Sequence, residues 1–159
     1  MTVAETVAEI LARARGKGLR IATAESCTGG MIAARLTDIA GSSDVFDRGF
    51  VTYSNAAKQD MLGVPPATLE AHGAVSQEVA TEMATGALRN SLANIAVSVT
   101  GIAGPGGSGH KPEGRVCFGL AQKGAETLVE TIDFGPLGRD RVRQASVEHA
   151  LDLLARALN

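Results

Sequence analysis

Apolar residues near the start of the chain fall at Val3, Val7, Ile10, Leu11 and Ala14, one face of a helix that Gly16 and Gly18 bring to an end. Leu19 to Ala24 reads as a strand. It passes through Glu25-Ser26-Cys27-Thr28-Gly29-Gly30 into a second helical pattern from Met31 to Ile39, closed by Gly41. Phe46 to Tyr53 predicts a further strand, and Ser54-Asn55 opens a short helix through Lys58 and Met61. Pro65-Pro66 breaks the chain before a short helix from Ala67 to Ala71. Ser76 is placed to cap the next helix, which runs to about Ser91 with Glu78 in its first turn. Asn94 to Thr100 is apolar and β-branched, a strand that enters the glycine-rich loop Gly101 to Gly109. Val116 to Gln122 and Thr127 to Phe134 predict a hairpin around Lys123-Gly124, and Arg139 to Leu158 a closing amphipathic helix.

Helices that alternate with strands, followed by a late hairpin, predict an α/β fold: a three-layer α/β/α domain with a mixed sheet. The chain has no internal repeat and no linker-like stretch, so residues 1–159 are expected to form a single domain.

Composition narrows the function classes. Hydrophobic residues make up 45% and charged residues 20%, an ordinary globular balance. A formal charge of −2, with no Trp and one Tyr, supplies neither a basic face for phosphate backbones nor stacking platforms for bases, so nucleic acid is not an expected partner. Neither a signal-peptide pattern nor an apolar run of spanning length is visible, so no membrane association is expected. Cys27 and Cys117 are too few for a disulfide scaffold, and a cytoplasmic setting is expected.

Candidate chemistry gathers where predicted strands end in glycine-rich turns, at Glu25 to Gly30 and at Thr100 to Gly109. In open α/β sheets ligands collect at the carboxyl ends of strands, and glycine lets the backbone approach an anion closely. Neither turn has the Gly-Lys-Ser/Thr of a phosphate-binding loop or the GxGxxG of a dinucleotide site, so no dinucleotide cofactor is expected. Ser26, Ser43 and Cys27 are the candidate nucleophiles. Lys58 is a candidate base, with Tyr53 five residues before it across a strand-to-helix junction. A lysine serves as a base where desolvation or a nearby cation lowers its pKa. Glu25, Lys58 and Cys27 also offer a nitrilase-like set. His72, His110 and His149 are scattered, which predicts neither a metal site nor a Ser-His-Asp triad. Arg139, Arg141 and Arg143 crowd a helix start, where the dipole disfavours cations, and a phosphate ligand is one reason for them to be there.

Several ordered motifs then carry a resemblance: Ala24-Glu25-Ser26-Cys27-Thr28-Gly29-Gly30, Gly41-Ser42-Ser43, Gly49 to Asn55 with Lys58, His72-Gly73-Ala74-Val75-Ser76 and Gly101-Ile102-Ala103-Gly104-Pro105. From about Leu19 onward the chain resembles the C-terminal domain of CinA, a family of competence/damage-inducible proteins and stand-alone nicotinamide-nucleotide amidases. The resemblance implies hydrolysis of the carboxamide of nicotinamide mononucleotide (NMN) to nicotinic acid mononucleotide and ammonia, without metal or cofactor. It maps serine–lysine chemistry onto Ser26 or Ser43, Lys58 and Tyr53. Ser26 ranks first because N–H groups around Thr28, Gly29 and Gly30 are placed to hold its oxyanion. It further implies that Thr100, Gly101, Ile102, Ala103 and Gly104, with an arginine near Arg141, hold the ribose phosphate, and that the protein is a homo-oligomer. Two rival readings stand beside it: a nucleotide-binding module without turnover, and a thiol amidase using Cys27.

Overall fold

The computed structural model describes residues 1–159, built around one five-stranded sheet. In chain order the elements are α1 (Val3–Lys17), β1 (Ile21–Glu25), α2 (Met31–Leu36), a 3-10 turn (Ser42–Asp44), β2 (Phe46–Val51), α3 (Asn55–Leu62), α4 (Pro66–His72), α5 (Gln77–Arg89), β3 (Ile95–Gly101), β4 (Arg115–Gln122), β5 (Leu128–Asp133) and α6 (Arg139–Ala157). The strands lie in the order β2-β1-β3-β4-β5. The first three are parallel, while β4 and β5 run antiparallel. The sheet is mixed, as the alternation of helices and strands with a late hairpin predicts.

Alternation along the central strands sorts the two faces. Ile21, Ile95, Val97 and Val99 point to one side with Val116, Phe118 and Leu120, and bury against α1, α2 and α6 through Ile10, Leu11, Leu36, Val147 and Leu151. Ala22, Ala24 and Ala96 point to the other side, against Leu62, Leu69, Val79 and Met83 of α3, α4 and α5. Two helical layers therefore enclose the sheet.

The small-residue face lets α5 come close. Ser98 donates its hydroxyl to the Ala80 carbonyl at 2.6 Å, and a Cβ on Gly119 would lie 2.6 Å from that same oxygen. At the start of the chain, Thr2 and Glu5 form the reciprocal cap that begins α1.

Several boundaries differ from the sequence expectation: α1 continues through Gly16 to Lys17, and β2 ends at Val51 rather than Tyr53. α2 stops at Leu36, not Ile39, because the Thr37 hydroxyl donates back to the Ala33 and Ala34 carbonyls at the helix end. The 3-10 turn at Ser42–Asp44 has no periodicity by which to be seen. Its consequence is that Ser43 sits where the chain enters β2, and β1 begins beside it with Ile21 opposite Phe46. Ser26 follows the far end of β1. The two candidate serines thus lie at opposite ends of neighbouring parallel strands, Ser43 at the amino end and Ser26 at the carboxyl end.

Candidate active site

The site forms where β1 and β3, parallel neighbours, reach their carboxyl ends. From β1 the chain crosses over to β2 on one side, while β3 lies on the other, so a crevice opens between the loops that leave them. Ser26 is held at this edge from both flanks. Its N–H donates to the Val99 carbonyl at 2.9 Å, and the preceding Glu25 carbonyl accepts from Thr52 N–H at 2.8 Å.

The turn that carries Ser26 is braced by Glu25, whose buried carboxylate accepts from the Thr28 hydroxyl at 2.6 Å, Ile32 N–H at 2.9 Å and Ala33 N–H at 3.0 Å. The amides that open α2 are thereby used inside the protein. Gly29 N–H donates to the Ser26 carbonyl, and Gly29 and Gly30 take the left-handed backbone the turn requires. Thr28, Gly29 and Gly30 therefore shape the turn and do not line the cavity. Cys27 borders the cavity, and its N–H donates to no protein acceptor. With both carboxylate oxygens of Glu25 turned to α2, no Glu-Lys-Cys set is assembled.

Lys58 comes from the first turn of α3. Ser54 starts that helix by accepting from Ala57 N–H at 3.0 Å, and this fixes the direction in which Lys58 leaves it. The side chain is 1% exposed, and its Nζ lies 3.0 Å from Ser26 Oγ, 2.8 Å from the Thr52 carbonyl and 3.3 Å from the Tyr53 carbonyl. Burial pulls its pKa down from 10.5 to about 8. A neutral amine has two N–H donors and one lone pair. The two carbonyls can only accept, so they take the two protons, and the lone pair is left facing the serine hydroxyl.

Around this pair is a cavity of about 350 Å³, walled by Ala74, Val75, Asn55 and the stretch Thr100, Gly101, Ile102, Ala103 and Gly104. Thr100 sends its hydroxyl to the Ala74 carbonyl at 2.9 Å, so it ties two walls together. Tyr53 is exposed, and its phenol accepts from Arg139 at 3.0 Å. Its backbone carbonyl, not the phenol, meets Lys58. Cys27 also borders the cavity, but burial pushes its thiol up to about 11, which keeps it protonated at neutral pH. A larger hollow of about 560 Å³ lies between α1 and α6; it holds paired surface charges such as Glu9 with Arg13 and Asp152 with Arg156, and no nucleophile beside a base.

The three arginines of α6 separate. Arg139 lines the cavity mouth and donates to the Gly104 carbonyl at 2.8 Å. Arg143 donates to the Cys27 carbonyl at 3.1 Å and so buttresses the Ser26 turn. Arg141, the arginine the sequence reading favoured, is exposed and borders no part of the cavity, whereas Arg139 lines it. Arg139 carried the same sequence signal as its neighbours, since only the direction in which α6 docks distinguishes them. Ser43 is exposed at the amino end of the parallel strands, away from Ser26 at their carboxyl end. His72 pairs with Glu78 and His149 with Glu130, and neither histidine lines the cavity. No group of three or more His, Cys, Asp or Glu side chains is placed to hold a metal ion.

The family model for the CinA C-terminal domain matches residues 3–158. The nicotinamide-nucleotide amidohydrolase PncC of Enterobacter agglomerans is 55% identical over 145 residues, which cover 90% of this chain and 88% of that protein. A putative competence-damage inducible protein of Caldicellulosiruptor saccharolyticus is 49% identical over 99% of the chain, and the chain spans only 37% of that longer relative. Among solved structures, the competence/damage inducible protein CihA of Agrobacterium tumefaciens superposes with a TM-score of 0.95 at 51% identity, covering 99% of this chain and 95% of that one. A CinA superfamily protein of Escherichia coli gives 0.93 at 34% identity, covering 98% and 90%. With the family model spanning nearly every residue, the chain belongs to the CinA C-terminal domain family.

Proposed function

We propose that this protein hydrolyses the carboxamide of NMN to nicotinic acid mononucleotide and ammonia, with Ser26 as nucleophile and Lys58 as its base. The observation that carries the reading is the 3.0 Å approach of a buried, carbonyl-anchored Lys58 amine to Ser26 in a walled cavity. The substrate is taken from the name of the amidohydrolase to which the chain is 55% identical.

Lys58 accepts the Ser26 proton as the hydroxyl oxygen attacks the carboxamide carbon. The oxyanion that forms meets Cys27 N–H, the amide next to the nucleophile. The Lys58 ammonium returns its proton to the departing nitrogen, ammonia leaves, and an ester of Ser26 remains. Water then attacks that ester with Lys58 again as base; the acid is released and Ser26 regains its proton. The positive pyridinium ring activates the carbonyl and, beside Lys58, favours the neutral amine. Arg139 at the mouth is the cation nearest to hand for the ribose phosphate, with Thr100 to Gly104 as the wall against which the nucleotide lies. Tyr53 serves through its carbonyl on Lys58 and its phenol on Arg139. The reading includes one domain over residues 1–159 and a cytoplasmic homo-oligomer, to be checked by cell fractionation and sedimentation; no helix is long and apolar enough to cross a membrane.

Ammonia release from NMN by metal-free protein tests it. Ser26→Ala and Lys58→Ala are each expected to lose on the order of 10⁴ in kcat, whereas Ser43→Ala and Cys27→Ala keep theirs. Loss in Cys27→Ala with Ser26→Ala active would establish the thiol amidase instead. NMN binding without turnover by the wild type would leave a binding module.

A further inference from the structure

Glu113 lies outside the cavity, in the segment that leads into β4, yet it holds together the two segments that form the cavity mouth. One carboxylate oxygen accepts from Gly106 N–H at 2.7 Å, and the other from Gly138 N–H at 3.3 Å. Gly106 belongs to the glycine-rich loop, and Gly138 directly precedes Arg139. Arg139 closes the circuit by donating to the Gly104 carbonyl at 2.8 Å and to the Tyr53 phenol at 3.0 Å. The Glu113 side chain also fills the space beside Gly104, where a Cβ would collide with it. Hydrogen bonds from amides to a carboxylate are about twice as strong as neutral ones. A loop rich in glycine loses much backbone freedom when held, so such a clamp has a large effect on it. Arg139 itself is exposed, and its direction is set by the Gly104 carbonyl and Tyr53 phenol together with the backbone that bears it.

We propose that Glu113 is a positioning residue that sets the preference for a phosphorylated substrate. By fixing Gly106 and Gly138, it keeps the Arg139 guanidinium over the mouth, where it meets the anionic end of a nucleotide and contributes nothing to the corresponding nucleoside. This rests on the amidase reading and adds to it the residue that selects the phosphate. Both oxygens of Glu113 accept from backbone amides, whose dipoles partly offset its negative charge.

The test is a cycle of Glu113→Ala, Arg139→Ala and the double variant, with NMN and nicotinamide riboside as substrates. The two share the ring and carboxamide and differ by the phosphate. Glu113→Ala is expected to raise KM for NMN about tenfold with kcat held within about twofold, and to leave kcat/KM for the riboside within about twofold. Arg139→Ala is expected to cost a similar factor, and adding Glu113→Ala to it less than about twofold more, since the two act through one contact. Glu113→Gln keeps one acceptor oxygen and should fall between. Losses that multiply in the double variant, or that strike both substrates equally, would overturn the proposal. Amide hydrogen exchange gives a readout independent of turnover: Gly106 and Gly138 should exchange faster in Glu113→Ala, and unchanged rates would refute the clamp. A wild type that binds NMN without hydrolysing it removes the amidase reading alone, and the same cycle is then read in Kd.

Discussion

Lys58 has three neighbours around its nitrogen, two of which can only accept a hydrogen bond. Once burial has removed a proton, that asymmetry turns the amine's two N–H groups to the carbonyls and its lone pair to Ser26, the arrangement the proposed base needs. With its pKa near 8, about one-tenth of the enzyme carries the neutral amine at pH 7. NMN hydrolysis is therefore expected to rise with pH and reach half its plateau near pH 8. A pH profile of kcat/KM checks this, and a flat profile between pH 6 and about 9 would remove Lys58 as the base. The same shift acts on stability. The unfolded lysine titrates near 10.5 and the folded one near 8, so between those values the unfolded chain binds more protons and stability rises with pH. Below about pH 8 the full cost, on the order of 3 kcal/mol, is present. The stability of the wild type relative to Lys58→Met should improve from pH 8 to about 10.5, as denaturant melts at each pH will show. Ser26 and Lys58 were legible as residue types able to do this chemistry. That they touch was not, since 31 residues and three elements (α2, the 3-10 turn and β2) lie between them, and only the docking of α3 against β2 and α5 brings Lys58 to Ser26.

At the level of elements, local patterning carried far. Strands and helices appear close to where periodicity, caps and breakers place them, because each depends on residues a few positions away. What periodicity does not report is how near two elements come. Gly16 and Gly119 illustrate it. Gly16 sits inside α1 with open space where a Cβ would be, so Gly16→Ala is expected to stabilise by about 0.5–1 kcal/mol through backbone entropy. Gly119 lies in β4 under α5, where a Cβ meets the Ala80 carbonyl and the Ser98 hydroxyl, so Gly119→Ala is expected to destabilise by roughly 1–3 kcal/mol. Thermal unfolding of the two variants should move the midpoint in opposite directions. The arginines of α6 make the same point: their crowding at a helix start was visible, and their division into a cavity residue, a buttress and an exposed side chain was set by how α6 docks.

For the molecule as a whole, the site draws on segments from Ser26 to Arg139, so a ligand that fills it binds only the folded chain. NMN at a hundred times its Kd should add about 2.7 kcal/mol of stability. Ser26→Ala is expected to keep most of that rise in melting temperature, and Arg139→Ala to lose much of it; a Ser26→Ala protein unmoved by NMN would contradict the placement of the site. By itself the sequence determined the elements, the mixed α/β class and the two turns in which chemistry concentrates, since these follow from side-chain periodicity and backbone preference over short stretches. Only the tertiary structure set Ser26, and not Ser43, beside Lys58, tied the Thr28 hydroxyl to Glu25, and brought Arg139 rather than Arg141 to the cavity. The physical reason is the same in each case. Which carboxyl edge a loop reaches, which amides are already taken, and which face of a helix meets the crevice are properties of strand order and helix docking, and residues remote in sequence set both.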